Sequence, residues 1–64
     1  MIHQKIVNIL YVDDYKTAVA ISNLLESFYD KRIENITLLN EENFSNGGEM
    51  IVETEHFKWA IKKR

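Results

Sequence analysis

The chain has 64 residues, with eight Lys and Arg against ten Asp and Glu, a net charge of −2, and neither Cys nor Pro. A chain of this length buries only about 60 % of the surface that its unfolded form exposes, which predicts one domain of modest stability. The missing Cys excludes disulfides and thiolate metal sites, and two His far apart in sequence, His3 and His56, make a poor zinc staple. Self-association or a bound partner remains as the usual route by which so small a core is supplemented.

An apolar fraction of 45 %, with three Phe, three Tyr and one Trp, places the chain among globular sequences. No run reaches the roughly 18 apolar residues of a membrane helix. The N-terminal residues do not follow the order of a secretory leader. The expectation is a cytoplasmic protein that makes no membrane contact.

In chain order, the first element is Lys5 to Val12, KIVNILYV. Ile6, Leu10 and Val12 share one face with Asn8, and Val7, Ile9 and Tyr11 share the other. Apolar groups on both faces predict a strand buried on both sides and central in its sheet. Asp13 and Asp14 end it, and either carboxylate can cap the helix that follows. At helical spacing Ala18, Ile21, Leu24, Leu25, Phe28 and Tyr29 form one stripe, while Lys16, Asn23, Glu26 and Asp30 face away. This predicts a helix over 14–31 lying on a sheet, with Lys31 and Arg32 at its negative pole. Tyr15 and Val19 fall outside that stripe and form a candidate contact patch.

ILYVDD followed by an amphipathic helix is similar to the opening of response-regulator receiver domains. In that family the acidic pair, here Asp13 and Asp14, helps to hold Mg²⁺ beside a phospho-acceptor Asp on a later strand. The resemblance covers residues 6–29 only. No Asp follows Asp30, so the acceptor position has no counterpart.

ITLLN, residues 36–40, predicts a short second strand. Residues 41–45 are polar around Phe44, and Asn46-Gly47-Gly48 is a strong hairpin-turn signal. EMIVET, residues 49–54, alternates Met50, Val52 and Thr54 against Glu49, Ile51 and Glu53. The tail HFKWAIKKR alternates Phe57, Trp59 and Ile61 against Lys58, Ala60 and Lys62. Inward parity therefore changes near Glu55-His56, which requires a bulge or a second tight turn. A terminal helix would leave Trp59 off its apolar stripe, so the alternation favours a strand.

Together these elements imply an α+β fold: a small two-layer sandwich with one helix packed on a mainly antiparallel three- to four-stranded sheet. The order is β-α-β-β with a further short C-terminal strand as the variable part. The second face of such a sheet has little to cover it, and lone-layer sheets of this size commonly pair with a second copy or a partner.

There is no Cys nucleophile, no Gly-rich phosphate loop and no GxSxG elbow, and a single small core leaves little volume for a substrate. His3 and His56 read as terminal and turn residues. The expectation is a protein without catalytic activity, cofactor or small-molecule substrate. Charge is the more informative feature. Ile33 to Phe57 holds six acids and no Lys or Arg, after which Lys58, Lys62, Lys63 and Arg64 crowd the last seven residues.

One reading is an acidic hairpin face of Glu41, Glu42, Phe44, Glu49, Glu53 and Glu55 that docks on a larger protein, with Tyr15 and Val19 as a second patch. An inhibitor or adaptor of the sort made by a phage or mobile element would suit it. The alternative is a single-stranded nucleic-acid platform in which Phe57 and Trp59 stack on bases and Lys58, Lys62, Lys63 and Arg64 hold phosphates. A net charge of −2 and a pI near 5.6 argue against unaided nucleic-acid binding.

Overall fold

The computed structural model describes residues 4–64, so His3 lies outside the described residues. Strand β1 (Ile6–Val12) leads into helix α1 (Tyr15–Tyr29), which closes with a 3₁₀ turn over Asp30–Arg32. Then follow β2 (Ile33–Thr37), the short helix α2 (Glu41–Ser45), β3 (Met50–Thr54) and β4 (Phe57–Lys63). The four strands form one sheet in the order β1-β4-β3-β2. β1 and β4 are parallel, and the other two pairs are antiparallel. The α+β two-layer architecture is as the pattern implied, with a mixed sheet.

Asp14 is the N-cap of α1. Its carboxylate accepts the Thr17 N–H at 2.8 Å, and hydrogen bonding from the Thr17 side chain, with this backbone bond second, holds its pKa below the ordinary carboxylate value. Asp13 instead lies 3.4 Å from the Arg64 guanidinium. At the other end the Arg32 side chain donates to the carbonyls of Phe28 and Tyr29 in the last turn of the helix. Asp30 ends the helix at φ 50°, an uncommon position for a residue with a side chain.

Two tyrosines set the rotation of α1. Tyr15 Oη donates to the Leu39 carbonyl at 2.8 Å, and Tyr29 Oη accepts the Trp59 Nε1–H at 2.9 Å. The inward stripe is therefore Tyr15, Ala18, Val19, Ser22, Leu25 and Tyr29 with Ile21 at its margin, so that Ala18, Ile21, Leu25 and Tyr29 face inward as spacing alone selects while the rest of the stripe is rotated from it. Leu24 and Phe28, expected inside, are 72 % and 69 % exposed. Tyr15 and Val19, expected at the surface, pack on the core.

Residues 41–45 form α2 rather than a polar loop. Asn40 caps it by accepting the Asn43 N–H at 2.8 Å. Asn46-Gly47-Gly48 is the exit from this helix, so β2 and β3 pair across α2 and not through a tight hairpin. Gly47 takes φ 97°, and a side chain on Gly48 would collide with Leu39 and the Asn43 carbonyl. α2 buries Phe44 completely beside Met50 and Ile61. The parity change at Glu55-His56 is a tight turn, since Glu53 pairs with Lys58 across it. Phe57, Trp59 and Ile61 consequently face α1 with Met50, Val52 and Thr54.

Candidate interaction surface

β1 is the first edge of the sheet, not a central strand. Among the described residues its only strand neighbour is β4, in a register that pairs Ile6 with Phe57 and Val12 with Lys63. The Ile6 N–H donates to the His56 carbonyl at 2.9 Å, and the Val12 carbonyl accepts from the Arg64 N–H at 2.8 Å. Peptide groups alternate in direction along a strand. The backbone groups of Ile6, Asn8, Leu10 and Val12 therefore turn toward β4, and those of Val7, Ile9 and Tyr11 turn outward along the free edge. On the sheet face opposite α1, the side chains of the latter three stand uncovered. Ile6, Val7, Ile9 and Tyr11 are 57 %, 57 %, 53 % and 54 % exposed.

On the same sheet face Ile9 pairs in register with Ala60, which is buried, and Ala60 with the half-buried Ile51. The rim of this face is charged. Lys5 Nζ lies 2.7 Å from Glu53 and 3.7 Å from Glu34, and Lys62 lies 4.0 Å from Glu49. The bond to Glu53 raises the Lys5 pKa and lowers that of Glu53, which also accepts from Asn35. An apolar strip with a polar rim has the composition of a protein contact surface.

The two sets of residues expected from charge are placed differently. Glu41 and Glu42 stand in the first turn of α2, whereas Glu55 sits at the β3–β4 turn, at the opposite end of β3. Glu49 and Glu53 lie between them near Lys62 and Lys5. Phe44 is wholly buried and cannot serve as a contact residue in the folded chain. In the aromatic–basic segment, Phe57 stacks on Tyr29 at 6.1 Å and Trp59 is hydrogen-bonded to the same ring's hydroxyl. Both rings are turned into the fold. Lys58 and Lys62 lie on the open face, with Lys63 and Arg64 at the end of β4.

An open cleft of about 420 Å³ lies where the 3₁₀ turn meets the β3–β4 turn, lined by Tyr29, Arg32, Ile33, Thr54, His56 and Phe57. Its polar groups hold the fold: Thr54 Oγ1 accepts the Phe57 N–H at 3.1 Å, and Tyr29 and Arg32 are engaged as above. Among the described residues no three His, Asp or Glu side chains come together as a metal cluster, and no helix is long and apolar enough to cross a membrane.

No protein-family model, curated protein or solved structure matches this chain.

Sequence reasoning missed β1 as the exposed element because a strand apolar on both faces has the same pattern at the centre of a sheet and at an uncovered edge. A usable signal was the small number of strands, since a four-stranded sheet has two edges to assign.

Proposed function

We propose that this chain is a non-enzymatic protein-interaction module that binds by strand addition along β1. One observation carries this reading: a seven-residue edge strand without a charge, bulge or Pro has four large apolar side chains more than half exposed. Proteins ordinarily blunt such edges, because an unpaired row of N–H and C=O groups templates pairing with another strand. An added strand bonds to the outward peptide groups of Val7, Ile9 and Tyr11 and covers their side chains with its own. The partner is a protein segment in extended conformation with apolar residues at alternate positions. Glu49, Glu53 and Lys62 at the rim act on partner choice and encounter rate more than on affinity. An inhibitor or adaptor role, and a cytoplasmic setting, are compatible with such a module.

Ile9→Pro tests the reading. The Ile9 N–H points away from β4, so proline there leaves the internal ladder intact while blocking an added strand. The expected result is a variant with the circular dichroism of the parent that no longer retains the protein, of whatever kind, that the parent retains in affinity capture. Undiminished retention by the folded variant would contradict the proposal.

A further inference from the structure

We infer that the strand added to β1 is β1 of a second copy of this chain, antiparallel and centred on Ile9. This rests on the reading of β1 as the contact edge and goes further by naming the occupant and its register.

The outer edge of β1 is self-complementary. A two-fold axis normal to the sheet through Ile9 places Ile9 opposite Ile9 of the second copy. The same axis sets Val7 opposite Tyr11, Ile6 opposite Val12 and Asn8 opposite Leu10. Val7, Ile9 and Tyr11 are the residues whose peptide groups face outward, so this register lets each of their N–H and C=O groups find a mirror partner. A two-fold contact of this kind is closed, and it uses the same patch on both copies.

Charge selects the same register. Lys5 and Asp13, which flank the uncharged run at its two ends, fall opposite each other twice. Opposite charges in directly facing positions favour a pairing, whereas an apolar residue against an acid does not. Sliding the pair by two residues in one direction sets Val7 against Asp13, and in the other it sets Lys5 against Tyr11. Only the Ile9-centred register pairs the whole strand and both charges. Arg64, which reaches the Tyr11 carbonyl at 3.5 Å and Asp13 at 3.4 Å and is 71 % exposed in its side chain, must move aside, and the Lys5 ammonium must swing from Glu53, 2.7 Å away, toward the facing Asp13.

The joined sheet has eight strands in the order β2-β3-β4-β1-β1-β4-β3-β2, with both α1 helices on one face, as the two-fold requires. Both apolar edges vanish, and the edges that remain are the polar β2 strands.

The native chain has no Cys, so single-cysteine variants report the register directly. In the inferred dimer the Cα atoms of the facing Ile9 residues lie about 5.5 Å apart, within disulfide reach. Two Val7 residues are displaced by roughly 14 Å along the strands, out of reach. Under mild oxidation Ile9→Cys is expected to form a disulfide-linked dimer at least about tenfold faster than Val7→Cys. Unmodified chain should sediment as a dimer that dissociates on dilution.

Equal or faster crosslinking of Val7→Cys would overturn the register. A chain that sediments as a monomer at every concentration would overturn the second copy as occupant. The strand-addition reading would survive that result if Ile9→Pro still abolished capture of a different protein, and would fall with it if capture were unchanged.

Discussion

β1 and β4 lie side by side in register, each seven residues long, and their surroundings are the reverse of what their compositions suggest. β1 has no charged residue and stands largely exposed, whereas β4 contains Lys58, Lys62 and Lys63 and buries Ala60 and Ile61. The cause is position. β4 has a strand on each side and α1 above it, so Ile61 is buried and Phe57 and Trp59 are half-buried whatever lies between them. β1 has one neighbour, and its apolar side chains exceed what a single helix can cover. The far edge makes the contrast sharper: β2 is five residues long, is interrupted by a register shift between Ile33 and Asn35, and carries Glu34 and Asn35. Bulges, short length and polar side chains are the usual protection of an edge. One edge of this sheet is protected and the other is built to be covered.

The largest effect should separate the two strands directly. Ile61→Ala in β4 empties a site with no solvent exposure and is expected to cost about 2–5 kcal/mol. That is a large share of the roughly 3–10 kcal/mol available to a domain of this size. Ile9→Ala in β1, measured by urea denaturation on dilute protein, should cost about 0.5 kcal/mol or less. Similar costs at the two positions would break the comparison.

A smaller effect comes from the buried face of α1. Ser22 Oγ is fully buried and, among the described residues, has no hydrogen-bond partner. Ser22→Ala should therefore stabilise the chain by about 1 kcal/mol, read as a higher urea midpoint at unchanged slope. A loss of stability would mean that the hydroxyl is satisfied. Next, Asp30→Gly should relieve the positive φ at the helix end and stabilise by up to about 1 kcal/mol.

The smallest effect is the pH dependence of the rim. Glu53 and Asp14 have lowered pKa values in the fold, the first through Lys5 and Asn35 and the second through Thr17. A lowered folded-state pKa contributes stability above the unfolded value, and that contribution is lost as pH falls through the folded one. Stability should thus decline on acidification below about pH 4. Lys5, whose pKa is raised, acts in the opposite sense: its contribution is present below the ordinary lysine value and is lost as pH climbs through the raised one. Urea midpoints across pH should show a shallower acid slope for Glu53→Gln; an identical slope would remove the Lys5–Glu53 contact from the account.

Much of the fold was legible in the sequence. Alternation placed Met50, Val52 and Thr54 with Phe57, Trp59 and Ile61 on one face, and the parity change located the turn between them. What was not legible depends on neighbours. Periodicity names the faces of a strand without saying whether another strand lies beside it, so IVNILYV read as central. The helix offered two stripes, and the less apolar one faces inward because Tyr15 and Tyr29 are pinned by Leu39 and Trp59. A five-residue helix is too short to show a period, although Asn40 ahead of Glu41 and Glu42 is an N-cap signature. The contact surface was hidden for the same reason as the edge. Charge runs drew attention to acids that the fold distributes along the length of β3, while the uncharged strand was assigned to the core.

The most direct test of the central claim is residue-resolved amide hydrogen exchange along β1 at low and high protein concentration. In dilute protein the amides of Asn8 and Leu10, bonded to β4, should exchange slowly and those of Val7, Ile9 and Tyr11 quickly. At high concentration all five should be protected. If Val7, Ile9 and Tyr11 stay unprotected at every concentration and with every partner supplied, β1 is not a contact edge and the account is wrong.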